Sequence, residues 1–174
     1  MKRFFAFCSV LVCLVCPSCI SDNLDPKGQG TLVSVGDELP CFSVITAKGQ
    51  RVSCDSLLGH RSVVLFFNTR CADCQMELPR VDSLYRAFSH DKSFKLICIA
   101  RQEKEPSIAN FWKEKKLTMP YSPQADRSVF QLFAYTGIPR IYISSPDGVV
   151  RYVHDDTDMP SFQTLVTEME SMEK

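Results

Sequence analysis

Five consecutive apolar residues, Val63-Val64-Leu65-Phe66-Phe67, run within four positions into Cys71-Ala72-Asp73-Cys74. A strand that is apolar on both faces has to be covered from both sides, as in a parallel or mixed sheet under helices. Leu96-Ile97-Cys98-Ile99-Ala100 has the same character. Between the two runs, Leu78, Val81, Leu84, Tyr85 and Phe88 recur at steps of three, three, one and three, which is one face of a helix. Strand, helix and strand in that order form a βαβ unit, so the fold class is α/β with a central sheet.

The rest of the chain extends this unit modestly. Phe42-Ser43-Val44-Ile45 and Arg51-Val52-Ser53-Cys54, parted by Lys48-Gly49, read as an N-terminal β-hairpin. An amphipathic segment carries Ile108, Phe111 and Trp112, and a shorter helix is expected from Asp126, an N-cap type, to Tyr135. Arg140-Ile141-Tyr142-Ile143, the turn Ser145-Pro146-Asp147-Gly148 and residues 149–153 form a second hairpin. A last helix spans about 160–173, with Phe162, Leu165, Val166, Met169 and Met172 as its stripe. A length of 174 residues accommodates one domain, placed at 35–174. The 20 basic residues balance 20 acidic ones, so neither disorder nor a nucleic-acid partner is indicated.

The first 34 residues have a different composition. Met1-Lys2-Arg3 is a basic start, and Phe4 to Cys16 is an apolar run of 13 residues. At 1.5 Å per residue it spans roughly 20 Å, short of a bilayer core of about 30 Å, so it reads as an export signal over 1–18. Cys16-Pro17-Ser18-Cys19 resembles a bacterial lipobox, with Ser18 as the small residue before a lipidated Cys19; plain secretion with Cys19 unmodified is the other reading. Residues 19–34, rich in Ser, Asp, Asn, Pro and Gly, are expected to be a flexible tether, the alternative being an ordered arm on the domain. Export removes Lys2 and Arg3, leaving 18 basic residues against 20 acidic, and places six of the nine cysteines where disulfides persist.

Cys71 and Cys74 open the helix of the βαβ unit. Their spacing lets the two sulfurs reach bonding distance, and it sets the first beside the helix N-terminus, whose partial positive charge favours a thiolate, the nucleophile of disulfide exchange. Cys74, nearly a turn further in, is expected to be less exposed. Arg70 would favour the Cys71 thiolate and Asp73 oppose it, and the balance stays open. Zinc is the weaker reading, because no second Cys pair or His pair stands at ligand spacing; His60, His90 and His154 are scattered and read as surface or turn residues. An inert structural disulfide is a further alternative.

With Glu77-Leu78-Pro79 following the cysteines and Gly137-Ile138-Pro139 preceding a strand 65 residues after Cys74, the chain resembles the TlpA/ResA-like thiol–disulfide oxidoreductases of the bacterial envelope, over roughly 35–173. The resemblance implies a thioredoxin-like fold, with a central mixed sheet, flanking helices and the N-terminal hairpin. It further implies that Pro139 is cis, lies against the cysteine pair, and presents the Ile138 backbone to an extended substrate. X-Pro is the one peptide bond where cis costs only about 0.5–1 kcal/mol. Pro79 should bend the first helix. Glu77 shares a helix face with Val81, Leu84 and Phe88, so it should be desolvated, raised in pKa and able to accept the Cys74 proton. Two departures bear on partner choice and potential: Arg70 stands where the family usually has Trp, and Ala72-Asp73 lacks the usual proline.

Cys41 and Cys54 fall near opposite ends of the first hairpin, either bridged as a second disulfide or as two separate thiols. Cys98 is read as a small core residue. The expected protein is therefore a monomeric, lipid-anchored envelope reductase with Cys71, Cys74 and Glu77 as its catalytic residues and Ile138 and Pro139 as its substrate contacts. It needs no metal or organic cofactor. Its partners would be disulfide-containing or dithiol envelope proteins, a membrane or periplasmic thiol donor, and the membrane itself through the lipid. The alternatives are a non-enzymatic binding lipoprotein and a copper-delivery protein using His154. A thiol peroxidase would want Pro-x-x-x-Thr-x-x-Cys, which is absent around Cys71.

Overall fold

The computed structural model describes residues 30–172, so the signal over 1–18, Cys19, residues 20–29 of the tether and the last two residues lie outside the described residues. Strand β1 (Ser43–Ile45) pairs antiparallel with β2 (Arg51–Ser53), and a single turn, α1 (Cys54–Leu57), leads into β3 (Arg61–Phe67). Helix α2 (Ala72–Phe88) and β4 (Phe94–Ala100) complete the expected βαβ unit, in parallel register from Arg61↔Phe94 to Phe67↔Ala100. Then come α3 (Ser107–Lys115), a two-residue β5 (Tyr121–Ser122), β6 (Arg140–Ser144), β7 (Val150–His154) and α4 (Phe162–Ser171). The five-stranded sheet has the order β5-β4-β3-β6-β7, parallel on the β4 side of β3 and antiparallel on the β6 side. It is the expected mixed sheet of a thioredoxin-like α/β fold, with the separate hairpin in front.

Every residue of β3 is buried, because both faces are covered. Phe66 packs against Phe130, Phe133 and Tyr142 at centroid distances of 5.4, 4.8 and 6.2 Å, while Phe67 meets Trp112 at 4.9 Å. Burying each such ring contributes roughly 1.5–3 kcal/mol. Each sheet edge is met in part by another segment, which shortens the strand left free to pair with other chains. The hairpin reaches β5 through Ala47 N–H to the Tyr121 carbonyl (2.9 Å) and Ser122 Oγ to the Ile45 carbonyl (2.6 Å). Residues 36–39 run beside β7, with Gly36 N–H donating to the Val150 carbonyl and Leu39 N–H to the Gly148 carbonyl, each at 2.9 Å.

Two expectations are corrected. Residues 126–135 are not a helix beyond one 3-10 turn at Phe130–Leu132. Phe130, Phe133 and Ala134 are all buried, and Leu32 N–H and Val33 N–H take the Phe133 carbonyl, so burial and an outside partner displace the helical ladder. Asp126 accepts from Ser128 N–H at 2.9 Å and closes a local turn instead of capping a helix. The second correction concerns residues 30–34, the end of the expected tether. They lie on the domain, with Val33 buried and Thr31 bridged to Ala134.

Helix α2 is tied to the loop after α3 by Asp82, whose Oδ1 accepts from Thr118 N–H (2.6 Å), Met119 N–H (3.0 Å) and Thr118 Oγ (3.0 Å), while Oδ2 takes Arg86 Nε (2.7 Å). Burial alone would raise this carboxyl, but those donors outweigh it and hold Asp82 below the usual aspartate range. Asp82→Ala strands two backbone N–H groups, so urea unfolding at pH 7 should show a loss of about 3 kcal/mol. A depressed folded pKa stabilises above the unfolded value, so this deficit should be full above about pH 4 and shrink as pH falls below it. A deficit that grows toward acid would contradict the assignment.

Candidate active site

The site lies where β3 ends and β6 begins. In the antiparallel register Phe66 faces Arg140, so the residues just after β3 meet those just before β6. Cys71 is the N-cap of α2: its carbonyl accepts from Gln75 N–H at 3.0 Å, and its sulfur accepts from Cys74 N–H at 3.4 Å. Its thiol donates in turn to the Ile138 carbonyl at 3.4 Å. The Ile138–Pro139 bond is cis, as the resemblance implied, and both residues are buried. Cys71, Cys74, Ile138 and Pro139 are therefore brought together.

The two sulfurs occupy different environments. Cys71 is half-exposed, whereas Cys74 is fully buried in the dithiol form present here. Desolvation first, then the hydrogen bond with Cys71, push the Cys74 thiol far above its ordinary value; an Asn68 backbone hydrogen bond and Arg101 only partly offset this.

Glu77 is buried. Oε2 pairs with Arg80 Nη1 at 2.9 Å, and Oε1 has no hydrogen-bond partner among the described residues. Burial raises its carboxyl above the usual glutamate range, with Arg80 and His154 pulling the other way.

Three features were not anticipated. Glu103 is buried and clamps the loop before Cys71: Thr69 N–H donates to it at 2.7 Å, Ser107 Oγ at 3.0 Å, and Thr69 Oγ makes a further bond. Gln75 Nε2 holds the same loop through the Thr69 carbonyl at 2.7 Å. No sequence signal links Thr69 to a glutamate 34 positions away; only the β3–β4 pairing does. Second, the cation that favours the Cys74 thiolate is Arg101, on the loop after β4, while Arg70 is exposed. Third, His154 is not a surface residue. It is buried at the end of β7 with Nε2 at 2.9 and 3.0 Å from the Glu168 oxygens; burial opposes its protonation, but Glu168 and Asp158 outweigh that and raise its pKa. Among the described residues no group of three or more His, Cys, Asp and Glu side chains is placed to hold a metal ion. Trp112, the sole tryptophan, is a core residue whose Nε1 donates to the Met119 carbonyl at 3.0 Å.

The model of the AhpC/TSA family matches residues 35–153. The chain belongs to that family. It is similar to the thiol-disulfide oxidoreductase ResA of Bacillus subtilis, 22% identical over 149 residues that cover 86% of this chain and 83% of the relative. ResA of Bacillus cereus is 25% identical over 118 residues, 68% of each chain. Among solved structures, a thiol:disulfide interchange protein of the thioredoxin family from Chlorobium tepidum superposes with a TM-score of 0.69 at 23% identity, covering 80% of this chain and 97% of its own. A thiol:disulfide interchange protein from Bacteroides sp. gives 0.68 at 22% identity, over 82% and 92%. Within the AhpC/TSA family the chain is TlpA/ResA-like and of the thiol–disulfide oxidoreductase class.

Because the folded pKa of Glu77 is raised, its contribution to stability is complete below the unfolded value of about 4.3 and lost as pH rises through the folded one. The stability difference between wild type and Glu77→Gln, measured by urea unfolding, should therefore be flat below pH 4 and shift against wild type as pH rises. A shift in favour of wild type at neutral pH would show Glu77 to be held as a stabilised anion.

Proposed function

We propose that this protein is a lipid-anchored thiol–disulfide oxidoreductase of the cell envelope that reduces disulfides of exported proteins through Cys71 and Cys74. The observation that supports this best is the half-exposed Cys71 sulfur at the helix N-cap, 3.4 Å from the Ile138 carbonyl, with Cys74 buried behind it. The anchor rests on the Ser18-Cys19 sequence alone. Among the described residues no helix is long and apolar enough to cross a membrane.

The Cys71 thiolate attacks one sulfur of a client disulfide. The client S–S bond breaks, a Cys71–client disulfide forms, and the second client sulfur leaves as a thiolate that takes a proton from water. Deprotonated Cys71 no longer donates to the Ile138 carbonyl, which frees that carbonyl for an N–H of an extended client strand against Pro139. Cys74 must then lose a proton that burial makes hard to lose. Glu77, three residues on and also buried, is the base, because desolvation makes its carboxylate a better acceptor than an ordinary one. The Cys74 thiolate attacks the Cys71 sulfur and releases the reduced client. Two electrons have passed to the client, and a membrane or periplasmic dithiol donor restores the pair.

Peroxide reduction is disfavoured by the sequence before Cys71, where Val64 and Asn68 stand in place of the Pro and Thr of the peroxidatic pattern. Insulin reduction with dithiothreitol tests the reading. Wild type should accelerate precipitation, Cys71→Ser should lose the acceleration entirely, and Cys74→Ser should accumulate a mixed disulfide at Cys71. A Cys71→Ser protein as active as wild type would refute the assignment.

A further inference from the structure

Outside the site, one other pair of thiols among the described residues is brought together. The β1–β2 register sets Ser43 opposite Ser53, and one step further out Cys54 N–H donates to the Phe42 carbonyl at 3.2 Å. Cys41 is the residue before Phe42, so it stands one position from the Cys54 pairing, and the two thiols are close enough to act on each other. Cys41 is exposed and Cys54 half-exposed, so a reagent in solution reaches both. Residues 39–41 leave the β7 edge here, and α1 begins at Cys54, so a bond between these sulfurs would join the two ends of the hairpin segment to each other.

From this geometry we propose that Cys41 and Cys54 are a second disulfide site, separate from the Cys71–Cys74 pair, whose closure staples the N-terminal hairpin. Cys54 precedes β3 and Cys71 follows it, and the seven residues of that strand span roughly 20 Å or more. The oxidant of the pair is an external disulfide. One thiolate of the pair attacks that disulfide, forming a mixed disulfide and expelling one thiol. The other attacks the resulting protein sulfur and expels the second. The protein loses two electrons, the oxidant gains two, and one S–S bond is exchanged for another.

The surroundings of Cys41 suit a lasting bond. The Asp55 carboxylate lies 3.9 Å from the Cys54 sulfur, and the Cys41 thiol is raised above its ordinary value, first by the neighbouring Cys54 and further by the Asp55 charge. A Cys41 held as a thiol attacks slowly and leaves slowly, so a bond formed here exchanges slowly.

Trypsin cuts after Lys48 and Arg51, so the two cysteines fall on separate peptides, 28–48 and 52–61. The full-length Cys71→Ser/Cys74→Ser protein is equilibrated with oxidised glutathione, quenched in acid, alkylated under denaturing conditions and digested. The expected product is peptide 28–48 linked to 52–61, and the same link should form in wild type. Oxidation should also raise the melting temperature by about 5–10 °C, as for a disulfide closing a loop of this length, and Cys41→Ser should abolish that rise. Cys41→Ser alone should keep the insulin-reducing rate of the parent. Full alkylation of both cysteines, or glutathione retained on Cys41 beside an alkylated Cys54, would overturn the proposal. These readouts use a protein without the Cys71–Cys74 pair, so they stand or fall independently of the reductase reading.

Discussion

The antiparallel pairing of β6 with β3 is the constraint on which the site depends. Phe66 opposite Arg140 leaves residues 68–71 and 136–139 at one end of the sheet, and the Cys71–Ile138 contact follows from that alone. Arg140 is buried and secures the junction, its Nε donating to the Thr136 carbonyl at 2.9 Å and its Nη1 to Thr31 Oγ at 2.8 Å. The N-terminal arm thus belongs to the fold that presents Pro139. Gly137 tolerates the turn before it, with φ of 74° and the Asp156 side chain close enough that a Cβ would crowd it.

Around this junction burial assigns different chemistry to groups only three residues apart. Cys71 keeps a face to solvent at the helix N-cap, whereas Cys74 and Glu77 are pulled into the core by the stripe that carries Leu78, Val81 and Leu84. The same packing that stabilises α2 therefore makes Cys74 a reluctant thiol and Glu77 a stronger base. Glu103 adds rigidity, since three donors converge on a carboxylate that fixes the backbone one residue before Arg70.

Much of this was legible in the sequence where one short-range rule applies. β3 and β4 announce themselves by being apolar on both faces, and Glu77 by its place on a periodic stripe. The 126–135 segment misleads because Phe130, Phe133 and Ala134 sit at helical spacing yet are held by a strand-like arm and the Phe66 ring. His154 looks isolated until α4 folds back and brings Glu168 to it. Arg101 and Glu103 gain their roles only through β4 lying beside β3, and pairing between strands carries no local mark. The signal, Cys19 and the lipid it would carry rest on sequence alone.

The reduction potential of the Cys71–Cys74 pair tests the central claim most directly. A buried Cys74 that resists ionisation leaves the dithiol without the thiolate stabilisation that makes a strong oxidant, so equilibration with glutathione or dithiothreitol buffers should place the pair nearer thioredoxin, at about −270 mV. A value near the −120 mV or so of a strongly oxidising pair would contradict the account.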